Sequence, residues 1–598
     1  MRMEQSSLSE AEEAGMREEA LKYALLNALK YGEPDEKAVI KRILAEHPEW
    51  RKSARELRDF VREAVSDVAE MSKEEREAEL MRLSPELAEE LRGKERRKEE
   101  AKAEREGEEV KLPPLPNAER GKVVMRFAPN PNGAATLGSA RGIVTNAEYA
   151  RIYEGKFILR FDDTDPALKR PLPEAYDWYL EDCEWLLGAS PDEVVVASER
   201  IPLYYEHAVA LIQKGAAYVC ECSRETFKRL KDAKMACKHR ELSVEENLER
   251  WERMLAGEYE EGEAVLRIKT DMRHEDPAMR DWVAFRILKR EHPRVGDRFC
   301  VWPTLDFESA IEDHLLGITH ILRGKDLQKS EGRQRFIYRY FGWKYPVTIL
   351  WGKIKVAEFG KFSTSELRRR IERGEYESWD DPRLPTIRAL RRRGFQPEAI
   401  RKFLLSLGVS QADIAVSMKN LYAENRKIVD AFAPRYFFVH NPQKMTIKGF
   451  TEKTVKAQKH PEKQEFREIN TKNVVFISES DFRKLKVGMR IRLKFLCDVE
   501  VESVKPLVAR VVSEKHAEES GEEGRGDGDH RRKPIIHWAP TESIEVRVKK
   551  PDGTVDEGLG EPLIASELGK VVQFERYAFV RIDAVSEDGK KVVAYFTH

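Results

Sequence analysis

The period of the apolar positions changes three times along the chain. Between residues 16 and 96 they recur every third or fourth place: Leu21, Ala24, Leu25, Ala28 and Leu29 in one run, Leu57, Phe60, Val61, Ala64 and Val65 in another. That spacing places each set on one face of an amphipathic helix. From residue 121 the short runs VVMRFAP, KFILRFDD, DEVVVAS and GITHILRG alternate with helical stretches, and each ends at polar or charged residues. The alternation predicts βαβ units around a parallel sheet, in which ligands bind beyond the carboxyl ends of the strands. Arg126, Asp162 and Arg323 stand at or beside those ends. Residues 365 to 432 return to helical spacing. After 433, RYFFVH, NVVFIS, MRIRLKFL, SIEVRVK and KVVAYF are closely spaced strands with polar turns, the pattern of one or two β-barrels.

The predicted architecture is therefore multidomain, α/β followed by β. A helical extension (1–93) leads through a charged linker (94–120) ending near the proline-rich PPLPN. The parallel-sheet domain has a first half (121–219), an insertion (220–300) and a second half (301–364), then a helical connector (365–432) and the β-barrels (433–598). HAEESGEEGRGDGDHRRK, residues 516 to 533, reads as a mobile surface loop. A tethered helical extension is suited to docking a protein partner, or to capping the next domain.

Composition narrows the function only a little. With 598 residues the chain is too long for one core. Lys+Arg (106) and Asp+Glu (107) nearly cancel, so a nucleic-acid face must be a local feature. The 36% charged content suits a well-solvated surface or ion-pair networks. MRMEQSSLSEAEEAG has no apolar core of signal-peptide type, and no apolar run approaches membrane-spanning length. A soluble, cytoplasmic protein is expected. Of the six cysteines, Cys183, Cys300 and Cys497 are scattered and read as small buried hydrophobes.

Four stretches carry candidate chemistry. NPNGAATLGS (130–139) joins a strand to a helix, and Gly133 and Gly138 let backbone amides approach a ligand at the positive end of that helix. It matches neither common Gly-rich phosphate loop, and a plain connection is the alternative. RFDDTDP sets Asp162 and Asp163 after a strand, where a carboxylate can hold an ammonium group or simply cap a helix. GKFSTSELRRR (360–370) is a polar loop entering a basic helix. Finally, Cys220, Cys222, Cys237 and His239 form C-x-C-x14-C-x-H, a donor set for a structural, tetrahedral Zn2+ with no position left for water. A reduced loop is its alternative.

In their order and spacing, RFAPNPNG, TLGS, ILRFDDTDP, GITHILRGKD, KFSTSE, WDDPRLPTIRALRRRGF and AFAPRYFFV resemble the class I aminoacyl-tRNA synthetases, specifically the glutamyl-tRNA synthetases of the archaeal and eukaryotic type. The resemblance runs from about 121 to 598. It implies a Rossmann-type catalytic domain, an acceptor-stem-binding insertion and anticodon-binding barrels. It implies Mg2+-dependent use of ATP to convert L-glutamate to glutamyl-adenylate, then transfer to the 3′-terminal ribose of tRNA(Glu). TLGS stands where the family has its HIGH signature, so Thr136, Gly138 and Ser139 fall in the catalytic turn, with Thr136 and Ser139 in place of imidazoles. Lys361 fits the first Lys of KMSKS, while Thr364 replaces the second. Glu366 follows where a Lys is common, and Arg368 and Arg369 are candidate helpers. Pro129, Asn130, Gly138, Ser139, Lys361 and Ser363 would contact ATP.

The resemblance also implies that Arg126, Asp162 and Arg323 bind glutamate. Arg323 argues against a glutaminyl relative, because a guanidinium matches a carboxylate better than a neutral amide; an ion pair with Asp326 is its structural alternative. Ser309 replaces the His of glutaminyl relatives, and Leu305 stands where a pocket Tyr is usual. Arg388, Arg391, Arg392 and Arg393 are candidate tRNA phosphate contacts. The rival readings are a glutaminyl-tRNA synthetase, a tRNA-binding scaffold with weakened catalysis, and an enzyme that glutamylates a tRNA base.

Overall fold

A computed structural model of the chain describes residues 10–32, 34–89, 112–359, 363–513 and 533–598. The chain forms two compact units that divide after Lys111. The first is helical: Glu10–Tyr31, Glu36–Glu46, Ala54–Glu70 and Lys73–Leu83. Their inward stripes, including Leu25, Ile43, Leu57, Val61 and Val68, form one buried cluster. Ser72 and Glu75 start the fourth helix by capping each other's backbone amides.

The second unit opens on PPLPN, which is no free linker. Leu115 is buried, its N–H donates to the Tyr153 hydroxyl at 2.9 Å, and the Tyr149 hydroxyl donates to the Pro113 carbonyl at 2.9 Å. The expected linker therefore ends near 111. Strands β1 (Val124–Phe127), β2 (Lys156–Phe161) and β3 (Glu193–Val196) pair in parallel in that order. Between them run the helices Leu137–Ile152 and Pro173–Leu187. An antiparallel sheet follows, β4 (Ala217–Cys220), β5 (Val265–Ile268), β6 (Val283–Ile287) and β7 (Val301–Pro303), with its own core around Trp251, Phe285 and Trp302. The chain then returns to the first layer. β8 (His320–Gly324) and β9 (Val347–Trp351) pair in parallel, and the Thr319 backbone and hydroxyl bond to Val124 at the start of β1. In β2 successive residues from Phe157 to Phe161 are buried, so both faces of the sheet are covered there.

Helices Ile387–Arg392, Pro397–Ser406 and Met418–Val429 lead to two seven-stranded sheets. In one, both edges come from a single segment: Arg435–Tyr436 pairs with Gln573–Phe574, and Phe438–His440 pairs with Gly558–Gly560. A sheet whose two edges share one segment must curl back on itself. The other sheet closes in the same way on Ile535–Ile536 and Ala539–Pro540. Each curled sheet buries its inward residues, Val546, Val548 and Val580 in the first, Ile491, Val499 and Trp538 in the second. Of the expected loop 516–533, all but Lys533 lies outside the described residues, as does Lys361.

Candidate active site

Arg126 and Arg323 lie near the carboxyl ends of β1 and β8, Asp162 follows β2, and all three are buried. They are held by acids and bases that the sequence reading passed over. Arg126 grips Asp313 through Nε (3.0 Å) and Nη2 (3.3 Å), and Arg160 Nη1 donates to the same carboxylate at 2.8 Å. Burial alone would raise the Asp313 pKa, but the two guanidiniums hold it down at about 2. Arg160 also clasps Asp162 from Nε (2.6 Å) and Nη2 (3.2 Å). Asp162 is thus fixed in place, with its backbone N–H on the Pro129 carbonyl at 3.0 Å. The neighbouring Asp163 is spent inside the fold: it accepts from the Tyr176 hydroxyl and from the Ser198 hydroxyl and N–H.

A stripe of acids on the helix Leu305–Leu315 supplies this network. Glu308, Glu312 and Asp313 are all buried there. Glu308 lies 3.7 Å from Arg160 Nε, and neither of its oxygens has a hydrogen-bond partner. Burial first, then the Asp162 charge, pushes its pKa up. The signal was legible: acids at i, i+4 and i+5 on an otherwise apolar helix face the core and must meet cations there.

Arg323 makes no ion pair with Asp326, which pairs instead with Lys353. Its Nη2 donates to Gln334 Oε1 at 2.7 Å, and its buried Nη1 has no partner. The Tyr345 hydroxyl donates to the same Gln334 oxygen at 2.6 Å, and Gln334 Nε2 donates to Ser309 Oγ at 3.1 Å. Leu305, by contrast, is partly exposed at the start of its helix.

The turn TLGS begins the helix Leu137–Ile152. Thr136 is its N-cap and accepts from the Ser139 N–H at 3.4 Å. Ser139 Oγ lies 3.4 Å from the Tyr179 hydroxyl, and Gly138 is exposed at the helix start. The turn is stitched to RLPTIR: Leu137 N–H donates to the Pro385 carbonyl (3.1 Å), and Ile387 N–H to the Ala135 carbonyl (2.8 Å). Before it, Asn130 Nδ2 donates to the Asp162 carbonyl at 2.9 Å, and Asn132 Nδ2 to Ser365 Oγ at 3.2 Å. Gly133 is required by contact: a Cβ there would stand 2.2 Å from the Trp379 ring and 2.6 Å from Thr364. Ser363 is exposed and caps the helix Thr364–Glu372. Glu366 pairs with Arg369, and Arg368 donates to the Arg170 carbonyl and to Glu372, so neither arginine is an unpaired helper.

The four candidate tRNA arginines separate. Arg388 pairs with Glu181 at 2.7 Å beside Trp178, and Arg391 lies over Trp185. Arg392 bonds Asp583 at 2.9 and 3.3 Å. Arg393 is 0% exposed, with donors on the Phe596 and Thr597 carbonyls and the Tyr422 hydroxyl, all at 3.0 Å. It offers no surface to a phosphate.

Cys220, Cys222, Cys237 and His239 do converge, with all four donor atoms within 4.8 Å of one another. Cys220 Sγ to Cys237 Sγ is 3.8 Å, and Cys222 Sγ to His239 Nδ1 is 3.4 Å. A tetrahedral zinc with its usual bond lengths needs edges of roughly 3.8 Å between sulfurs and roughly 3.5 Å from sulfur to nitrogen. The other ring nitrogen of His239 faces Glu221 at 3.6 Å, a partner that orients an imidazole ligand. The donor set fits the ion.

A parallel sheet with buried charged residues at its strand ends, interrupted by an antiparallel layer, defines an α/β core. Residues 122–431 match the catalytic domain of the class I tRNA synthetases (E and Q), and residues 433–518 and 535–583 match the anticodon-binding domain of the same group. The chain belongs to that family. A glutamate–tRNA ligase of Archaeoglobus fulgidus is 53% identical over 98% of this chain and 100% of its own length. One of Methanosarcina mazei is 54% identical over 96% of this chain and 98% of its own. A solved glutamate tRNA ligase from Elizabethkingia meningosepticum aligns with a TM-score of 0.39 and 19% identity, over 52% of this chain and 70% of that one. No helix among the described residues is long and apolar enough to cross a membrane.

Proposed function

We propose that this chain is a cytoplasmic ligase that activates L-glutamate with ATP and Mg2+ and transfers it to tRNA(Glu). The observation that carries the amino-acid choice is Arg323, whose Nη1 is buried without a partner while Nη2 is held by an uncharged amide. A buried guanidinium with an open donor is matched by a carboxylate and left unsatisfied by a carboxamide's NH2. The full-length likeness to proteins named glutamate–tRNA ligase supports the same choice.

Arg126, with Asp313 taking two of its donors, and Asp162, fixed by Arg160, would hold the carboxylate and ammonium of the substrate. Catalysis is then positioning and charge stabilisation. Glutamate attacks the α-phosphate of ATP and pyrophosphate leaves; next, the ribose hydroxyl takes the glutamyl group and AMP leaves. Gly138, Ser139 and Thr136 at the positive helix end, with Pro129, Asn130 and Ser363 around them, form the ATP side of the cleft. Lys361, assigned from its place in the loop sequence, would meet the leaving pyrophosphate. Residues 220–300 would take the acceptor stem, stiffened by Zn2+ on Cys220, Cys222, Cys237 and His239. Residues 433–598 would take the anticodon, with Arg388 and Arg391 on intervening phosphates. The helices before residue 94 would dock a protein partner.

The test is aminoacylation of tRNA with labelled glutamate and, separately, glutamine, repeated with Arg323→Ala. Charging with glutamate alone, lost in the variant, is the expected result. If neither amino acid is charged onto tRNA that binds, TLGS is a relic and the protein is a tRNA-binding scaffold.

A further inference from the structure

Gln334 touches Arg323 on the side away from the open Nη1, and it came from no motif. We infer that Gln334 is a specificity-determining positioning residue: its neutral amide orients Arg323 while leaving the guanidinium charge for the substrate carboxylate. The inference rests on the glutamate reading above.

Three contacts fix the amide. Oε1 accepts from Arg323 Nη2 at 2.7 Å and from the Tyr345 hydroxyl at 2.6 Å. Nε2 donates to Ser309 Oγ at 3.1 Å. A flipped amide would set its NH2 against two donors and give Ser309 an acceptor in place of a donor. The amide therefore has one orientation, and it holds the Nη2 end of the guanidinium. Gln334 is 1% exposed, so water does not compete for these bonds.

The surrounding charges give Arg323 no internal counter-ion among the described residues. Asp313 is committed to Arg126 and Arg160, Asp162 to Arg160, and Asp326 to Lys353, and Glu308 makes no bond to Arg323. Had position 334 carried a glutamate, Arg323 would have an internal counter-ion and little attraction left for a ligand. A purely apolar residue would leave Nη2 buried and unpaired, and the fork would turn to find an acceptor. A neutral acceptor on a rigid helix, Gln328–Phe341, does neither. Tyr345, at the turn into β9, is the support that keeps Oε1 aimed at Arg323.

The test is steady-state aminoacylation by the full-length protein, with Gln334→Glu, Gln334→Met, Tyr345→Phe and Arg323→Ala, measuring kcat and the KM values for glutamate, ATP and tRNA. Gln334→Glu is nearly isosteric and should keep the wild-type melting temperature or raise it. Its KM for glutamate should rise about 100-fold, with the KM values for ATP and tRNA within about twofold of wild type. Gln334→Met and Tyr345→Phe should raise the glutamate KM by about tenfold and a few fold, again without a change for ATP. Gln334→Glu with wild-type KM for glutamate overturns the inference. So does a pattern in which all four variants lose stability and every KM rises together, the mark of a merely structural residue. Failure of the wild type to charge glutamate, or full activity of Arg323→Ala, refutes the glutamate reading itself. Loss in Arg323→Ala with Gln334→Glu unaffected refutes only the role of Gln334.

Discussion

Arg393 and Thr597 are 204 positions apart and bonded in both directions: the guanidinium donates to the Thr597 carbonyl, and the Thr597 hydroxyl donates to the Arg393 carbonyl. The helical connector and the curled sheet that follows are fastened there. Arg393 has no exposed surface, and burial lowers its pKa, so the carbonyls and the Tyr422 hydroxyl are what retain its charge in the fold.

Arg393→Ala should therefore cost about 3–5 kcal/mol of stability, since it strands buried carbonyls and opens a cavity. The same change at Arg391, over Trp185, should leave the denaturation midpoint nearly unchanged and weaken tRNA binding with a shallower salt dependence. Urea titrations and binding at two salt concentrations check both halves.

Asp182 is buried on the helix Pro173–Leu187 with neither oxygen partnered, and burial raises its pKa to about 7 although Arg388 and Arg391 pull it down. Its unfolded value is about 3.9. The sign follows from a raised folded pKa: the stability is fully present below about pH 4, declines as pH rises, and is gone above about pH 7. The total is on the order of a few kcal/mol. Asp182→Asn should remove this slope and be more stable than wild type at pH 8, with the two alike near pH 4. Chemical denaturation at pH 4, 6 and 8 measures it.

Gly133→Ala would place a methyl group inside the Trp379 ring and against Thr364. Overpacking there should cost about 1–3 kcal/mol and push back the start of the helix Thr364–Glu372, next to the loop assigned to pyrophosphate. The expected kinetic result is a KM for ATP raised about tenfold with the KM for glutamate little changed. A wild-type ATP KM would show that the Gly133–Trp379 contact does not position the loop.

Purified protein should carry one zinc per chain by elemental analysis. Cys222→Ser should release it, and so should a strong chelator, faster at acid pH because thiolates and imidazole must lose protons to bind metal. The antiparallel sheet β4–β7 should then melt ahead of the rest. Metal-free protein with unchanged melting would mean a reduced cysteine cluster.

Much of this was legible in the chain. The strand–helix alternation, the return to a parallel sheet after an insertion and the strand-rich final third follow from local periodicity, because burial of one face imposes that period wherever an element forms. The cysteine spacing likewise named its four residues, since a metal's small coordination shell needs two close pairs. Strand ends of a parallel sheet pointed to the places of Arg126, Asp162 and Arg323, while their roles came from the resemblance of the surrounding motifs.

Sequence by itself determined which elements form and which side chains are chemically capable; the tertiary structure alone decided how each one is employed. Asp162 and Asp163 are adjacent and identical, yet one is clasped by Arg160 and the other is consumed by Tyr176 and Ser198. Arg391 and Arg393 lie two places apart on one basic stretch, yet only Arg393 is sealed against Thr597. Gln334 carried no motif at all. A side chain's role is fixed by the partners and the dielectric around it, and those come from residues tens to hundreds of positions away, which no local pattern encodes.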